Sequence, residues 1–173
     1  MVKVARGEEP AFRVLARRHA ARAIGFARRI TGSDADAEEI VQEALLRVWI
    51  NAPRWRPVAA FRTWFYRVVV NLCLTRRRRA RFVPIEQIAE PVDLSPGPVE
   101  QIEREESDRR LAAAIARLPE RQRTAITLTY DEGLSNADAA AVIGTSVSGL
   151  ETLLVRAKRN LRTALGPVLD GND

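Results

Sequence analysis

Arginine and aromatic side chains alternate between residues 54 and 67 of this 173-residue chain. Guanidinium groups bind phosphate and aromatic rings stack on unpaired bases, so this mixture is typical of proteins that hold single-stranded nucleic acid. Most of these rings are expected in a core, which leaves Trp55 and Tyr66 as the stacking candidates. The phosphate-binding candidates are Arg62, Arg67, Arg76, Arg77, Arg78 and Arg79. The four-arginine run alone does not establish binding to nucleic acid, because cations also stabilise a helix C-terminus.

A second pattern, from Leu134 to Leu150, consists of a capping residue, a short alanine-rich helix, a glycine turn, a second cap and a longer helix. This order predicts a helix-turn-helix, whose second helix enters the major groove of DNA. Helical spacing directs inward the side chains of Val147, Leu150, Leu154, Ala157 and Leu161. It leaves, as candidates for DNA contact, the cap Ser146 and the outward positions Ser148, Gly149, Glu151, Thr152, Arg156 and Arg159. A plain helical hairpin with a solvated basic face remains the alternative.

A third pattern is an acidic face on the helix predicted from Asp36 to Trp49, above a full apolar stripe. By default such a face is solvated, and no His, Cys or nucleophile lies beside its carboxylates. The sequence also has no glycine-rich phosphate loop, no cluster of metal ligands and no serine-histidine arrangement. We therefore expect no enzymatic activity, no metal or other cofactor and no small-molecule substrate.

The net charge of +6 comes almost entirely from arginine and indicates a polyanionic partner. Basic residues dominate before residue 80 and are in slight excess after residue 109, whereas the segment between is acidic and rich in proline.

The single cysteine, Cys73, lies between two leucines and is expected to be a buried thiol, with a redox role as the minor alternative. Without a signal-peptide pattern or an apolar stretch long enough to span a membrane, we expect a cytoplasmic protein with no membrane insertion.

Apolar residues recur at helical spacing over most of the chain, and no segment is predicted to be a strand. Prolines interrupt the pattern within residues 53–60, which predicts a loop, and again between residues 84 and 98. The fold class is therefore all-α, with two small helical domains joined by a flexible linker. The first domain covers residues 1–80, the acidic linker residues 81–107, and the helix-turn-helix domain residues 108–167.

Taken in order, these segments resemble extracytoplasmic-function sigma factors of the sigma-70 family, over about residues 12–79 and 111–165. The helix 36–49 looks like the one that binds core RNA polymerase in that family. The resemblance implies contact with the β′ clamp helices, made or supported by Asp36, Glu39, Gln42, Glu43 and Trp49. It also implies the β subunit as a partner, with no residues assigned to that contact. It also implies an anti-sigma factor as partner, although no residue identifies one.

Residues 61–71 are similar to the segment that melts and reads the promoter −10 element. There the resemblance implies that Asn71 and the loop 55–60 capture an unstacked base, without use of ATP. Residues 118–123 and the helix-turn-helix are similar to the domain that reads the −35 element. The chain departs from the family pattern in the apolar loop 57–60 and at Leu153, where many relatives have arginine. The promoter sequence that it recognises is therefore not predicted from these residues.

Two other functions fit parts of the pattern. A free-standing transcriptional regulator would use the same helix-turn-helix but would bind duplex DNA tightly by itself, usually as a dimer. A helical adaptor would bind protein through the face of helix 36–49. The order of all the segments favours the sigma factor.

Overall fold

The computed structural model describes residues 1–56, 60–80 and 99–166, and every element within these ranges is helical, as predicted. The helices are α1 (Val2–Ala5), α2 (Glu9–Thr31), α3 (Asp34–Asn51) followed by a 3₁₀ turn (Ala52–Arg54), α4 (Phe61–Ala80), α5 (Val99–Arg117), α6 (Glu120–Ile126) continued by a π-helical turn (Thr127–Asp131), α7 (Asn136–Ile143) and α8 (Val147–Leu165). The short α1, which packs Val4 into the core, was not predicted because four residues are too few to show periodicity.

The first half of the chain is a bundle in which α2, α3 and α4 pack against one another. Gly32 ends α2 in the left-handed conformation with a φ of 79°. The hydroxyl of Ser33 then accepts a hydrogen bond from the Asp36 amide and caps α3. Phe26 and Phe65 are fully buried between the helices and form the centre of this core.

In the second half, α7 and α8 form the predicted helix-turn-helix. Ser135 and Ser146 cap the two helices by accepting hydrogen bonds from the amides of Asp138 and Gly149. Gly144 lies between them with a φ of 72°, a conformation that glycine adopts without steric cost. The inward face of α8 is buried as predicted, at Leu150, Leu154, Ala157 and Leu161. The prediction that Val147 packs inward was wrong, because this first residue of α8 is 43% exposed.

The segment assigned to the linker is only partly within the described residues. Residues 81–98 lie outside them, whereas α5 begins at Val99, inside the predicted linker 81–107. Residues 57–59 of the predicted base-capturing loop also lie outside them.

The two halves are in contact, which their separate sequence patterns did not indicate. Helix α4 packs along α7, and α6 with its π-helical turn touches α2. The guanidinium of Arg123 in α6 donates to the carbonyl of Ile30 at the C-terminus of α2, over 3.1 Å. Because cations stabilise helix C-termini, Arg123 attaches the second half to the first.

Two further expectations concern Cys73 and membrane insertion. Cys73 is buried as predicted, and burial raises the pKa of its thiol to about 12. Among the described residues no single helix is long and apolar enough to cross a membrane. Within the described part of the chain, one pair, α7 and α8, reaches that length and composition together, and the two helices are bent by 94° at the turn between them.

Candidate DNA and polymerase interfaces

The outer face of α8 is open. The side chains of Ser148, Glu151, Thr152, Arg156 and Arg159 are exposed, Gly149 is half-buried, and Ser146 is engaged as the helix cap. A Cβ atom on Gly149 would collide with the side chain of Thr145, so only glycine fits this position without a shift. The glycine therefore makes room for the Thr145 side chain beside the first turn of α8.

The cations at the basic end of α8 lie in two different environments. Arg156 and Arg159 are exposed, whereas the ammonium of Lys158 lies 5.0 Å from the centroid of the Tyr130 ring. This cation–π contact holds Lys158 against the turn before α7. The two arginines are thus the better placed to bind phosphate.

The arginine run at the end of α4 divides into two pairs. Arg76 forms ion pairs with Asp36, at 3.0 Å, and with Glu39, both on α3. Arg77 donates to the carbonyl of Ile30 over 3.2 Å. Arg78 and Arg79 are exposed to solvent, whereas the first pair holds helices together.

A groove of about 610 Å³ lies at the start of α4, beside the loop before it. Trp55, Trp64 and Arg67 line it. The sequence pattern had selected Trp55 and Arg67, and had left Trp64 among the rings expected in a core. Arg47, Asn51, Arg54 and Arg56 also line it and were not among the predicted site residues. Arg54 and Arg56 flank Trp55 in sequence, and this position could have predicted that they share its site. Arg47 comes from α3, so only the fold shows that it reaches the groove.

Tyr66 does not present the exposed ring that the sequence predicted. It is 2% exposed, packs edge-on against Phe26 at 5.2 Å and donates its hydroxyl to the carboxylate of Glu132. Burial raises the pKa of Tyr66, and the hydrogen bond to Glu132 and the charge of Glu132 raise it further. The sequence missed this because Glu132 lies 66 residues away and reaches Tyr66 only when the halves pack.

Other residues of α4 meet the same part of the second half. Arg62 donates to the carbonyl of Glu132, and the Thr63 hydroxyl donates to the Asp138 carboxylate over 2.8 Å. Hydrogen bonds from Ser135 and from Thr63 lower the pKa of Asp138. Asn71, further along α4, is exposed. We call residues 131–138 the acidic turn, because Asp131, Glu132 and Asp138 supply its contacts.

The predicted polymerase-binding face on α3 is exposed in its middle. Gln42 and Glu43 face solvent, with Glu43 bound to Arg47 at 2.6 Å. Asp36 and Glu39 lie against Arg76, and Trp49 packs on Phe12 at 5.1 Å, which makes it a support for the helix. Leu46 and Ile50 are large exposed apolar residues on this helix that the sequence analysis did not select. Such residues are frequent at protein–protein contacts.

Within the described ranges, no group of three or more His, Cys, Asp or Glu side chains could hold a metal ion. His19, the one histidine, lies 5.1 Å from the ring of Phe61. Burial lowers its pKa, and the charges of Arg18, Arg62 and Arg22 lower it further. We therefore interpret His19 as a packing residue.

Comparison with known families agrees with this arrangement. Residues 15–83 match the family described as Sigma-70 region 2, and residues 108–161 match Sigma-70, region 4. The ECF RNA polymerase sigma factor SigM of Mycobacterium tuberculosis is 31% identical over 160 residues, which cover 92% of this chain and 80% of SigM. The chain belongs to the sigma-70 family, in its extracytoplasmic-function group.

Two further relatives extend the likeness. The ECF RNA polymerase sigma factor SigE of Mycolicibacterium smegmatis is also 31% identical, over 90% of this chain, although this family member spans only 62% of SigE. The solved structure of CnrH in complex with the cytosolic domain of CnrY superposes with a TM-score of 0.71 at 28% identity. It covers 94% of this chain and 92% of CnrH, so the likeness includes both halves.

Proposed function

We propose that this sigma-70 family member binds core RNA polymerase and directs it to begin transcription at a set of promoters. The observation that carries the proposal is the order of the two family regions on one chain, with a polar α3, an arginine-aromatic α4 and an open helix-turn-helix. Three surfaces with three different chemistries suit a protein that must contact a polymerase and two DNA elements.

The polymerase contact is assigned to α3 and its polar face. The exposed Gln42 and Glu43 would meet the clamp helices of β′, and the nearby apolar Leu46 and Ile50 would add buried area. Asp36, Glu39 and Trp49 would support that helix through Arg76 and Phe12. A further contact with β is proposed from the family resemblance alone.

The −10 contact is assigned to α4 and the groove at its start. Trp55 and Trp64 offer rings to unstacked bases, while Arg67 and the other arginines of the groove offer charge to the backbone. The exposed Asn71, Arg78 and Arg79 extend this surface along α4. Stacking and phosphate binding both favour separated strands, so no ATP is needed to stabilise the melted promoter.

The −35 contact is assigned to the outer face of α8. Its N-terminal half would present Ser148, Glu151 and Thr152 to base edges of the major groove, and its basic end would present Arg156 and Arg159 to phosphates. A partner of the anti-sigma kind is proposed because CnrH was solved with the cytosolic domain of another protein bound. Action on polymerase and promoters corresponds to a cytoplasmic location.

Run-off transcription with purified core polymerase and genomic promoter fragments tests the proposal. We expect transcripts only when the full chain is added. A Gln42→Ala/Glu43→Ala variant should lose most of this activity and its co-purification with core polymerase. Glu38→Ala, an exposed carboxylate of the same helix outside the predicted set, should keep both. An inactive wild-type chain that binds duplex DNA tightly without polymerase would instead support a free-standing regulator.

A further inference from the structure

A cavity of about 730 Å³ lies between α1, α2 and the start of α4, away from the helix faces assigned to polymerase and to the −35 element. Val2 and Ala5 of α1 and Leu15 of α2 give it an aliphatic wall. Trp55 and Phe61 add aromatic rings. Its volume falls within the range of roughly 300 to 1,000 Å³ that is usual for small-molecule sites. The cavity is therefore large enough to hold a small molecule.

A second cavity, of about 640 Å³, continues the first along α2. The two cavities share Val2, Leu15 and Arg18 as lining residues, and the second adds Pro10 and Val14. Val2 and Val14 are 65% and 56% exposed, so their apolar side chains are accessible. We call the two joined cavities the α1–α2 groove. Its length and its aliphatic lining suit an alkyl chain.

The charges at the first cavity all have one sign. Arg6, Arg18 and Arg62 line it, and no carboxylate is present among its described lining residues. Arg62 donates to the carbonyl of Glu132, whereas neither Arg6 nor Arg18 forms an ion pair within the described ranges. Guanidinium groups bind carboxylates through charge-assisted hydrogen bonds. The groove therefore combines an apolar channel with two cations that can bind an anionic group.

His19 belongs to the wall of this cavity and does not add to its charge. Its ring lies 5.1 Å from that of Phe61. Burial lowers its pKa, and the charges of Arg18, Arg62 and Arg22 lower it further. Because its ordinary pKa is already near 6.5, the imidazole is neutral at physiological pH. The same three arginines make the pKa of His19 sensitive to any anion that binds beside them.

We propose that the α1–α2 groove is a binding site for a small amphipathic anion, a carboxylate carried on an alkyl chain. The carboxylate binds Arg6 and Arg18. The chain lies along Val2, Leu15 and Val14, where it removes apolar surface from water. The concave shape favours a single molecule over a membrane, because a bilayer surface is flat and would not enter the groove.

Trp55 connects this site to the groove assigned to the −10 element, because it lines both. This consequence rests on the proposed function, in which Trp55 stacks on an unpaired base. An alkyl chain packed against Trp55 restricts the positions that its ring can take for stacking. The bound anion should therefore reduce strand capture and, with it, transcription from melted promoters.

Calorimetric titration of the full-length chain with decanoate, below its micellar concentration, tests the binding site. We expect saturable binding at one site. Decanol, which lacks the charge, and hexanoate, which has a shorter chain, should each bind about tenfold more weakly or worse. Arg18→Gln should weaken decanoate binding several-fold. Arg17→Gln, an exposed neighbour that does not line the groove, is the matched control and should leave it unchanged.

His19 provides an independent readout, because it is the one histidine of the chain and its ring gives a single set of NMR signals. Bound decanoate should raise the pKa of His19, since a negative charge beside Arg18 favours the protonated imidazole. An unchanged pKa at saturation would place decanoate elsewhere and overturn the site. Equal binding of decanol and decanoate would overturn the role of the arginines. Binding to phosphatidylglycerol vesicles without binding of monomeric decanoate would assign this face to a membrane instead.

Run-off transcription tests the connection through Trp55. Saturating decanoate should lower the transcript several-fold when the wild-type chain is combined with core polymerase. It should have little effect with the Arg18→Gln variant, which controls for any action of decanoate on polymerase itself. Decanoate that binds at His19 without lowering the transcript would overturn the connection. The proposed function fails separately, if wild-type chain and core polymerase give no transcript without decanoate while decanoate still binds.

Discussion

Helices α4 and α8 carry the two surfaces proposed to contact promoter DNA, and they differ in what covers them. The outer face of α8 is exposed over its whole length, whereas residues at the start of α4 lie beneath the acidic turn. The open surface is held by local caps and its own apolar stripe. The covered surface depends on hydrogen-bond partners that lie more than 60 residues away in the sequence. The difference teaches that local sequence determines one surface, whereas packing between the two halves determines the other.

The first prediction concerns the stability of the open helix. Leu150 is fully buried and Val155 is 67% exposed on the same helix. Leu150→Ala should lower the free energy of unfolding by about 3 kcal/mol, because it removes apolar contacts and leaves a cavity. Val155→Ala should change it by less than about 0.5 kcal/mol. Urea unfolding of the full chain measures both, and similar values for the two variants would contradict the assigned inner face.

The second prediction concerns the attachment of the two halves. Arg123 is buried and donates to the carbonyls of Ile30 and Leu118, at 3.1 and 3.0 Å. Arg123→Met keeps much of the volume but leaves these acceptors without that donor, so the unfolding free energy should fall by about 2 kcal/mol. Arg121→Met, an exposed neighbour, is the control and should have little effect. Equal urea midpoints for the two variants would exclude the role given to Arg123.

The helix-turn-helix and Tyr66 show how far the sequence could predict the structure and the candidate sites. The helix-turn-helix was predictable because its caps, its glycine turn and its apolar spacing act within a few residues of one another. The acidic face of α3 and the arginine-aromatic segment were predictable from their amino-acid composition. Tyr66 was not, because an aromatic residue among arginines suits stacking equally well until Glu132 is known to lie against it. Contact between domains leaves no periodic signal.

The third prediction concerns phosphate binding by α8. Arg156→Ala or Arg159→Ala should weaken binding of the upstream promoter element for all sequences. Each should reduce the salt dependence by about one unit of slope per lost phosphate contact. Arg17→Ala, an exposed arginine of α2 outside the proposed surfaces, should leave the slope unchanged. Binding titrations at several salt concentrations provide the slopes, and an unaltered slope for both α8 variants would remove them from the phosphate contact.

The smallest effect is expected at the cap of α8. The Ser146 hydroxyl accepts the Gly149 amide over 3.0 Å, whereas the neighbouring Ser148 side chain is exposed on the DNA face. Ser146→Ala should therefore cost about 1 kcal/mol of stability, and Ser148→Ala should cost almost none. Thermal unfolding resolves this difference. A larger loss from the Ser148 change would mean that the cap is misassigned.

The distance between the two halves tests the central claim most directly. Asn51 and Ala141 are exposed, line the same groove from opposite halves and lie outside the predicted site residues, so they can carry spin labels after replacement by cysteine. We predict one short distance in the full-length chain, because α4 packs along α7. A long distance, or a broad distribution of distances, would contradict the account.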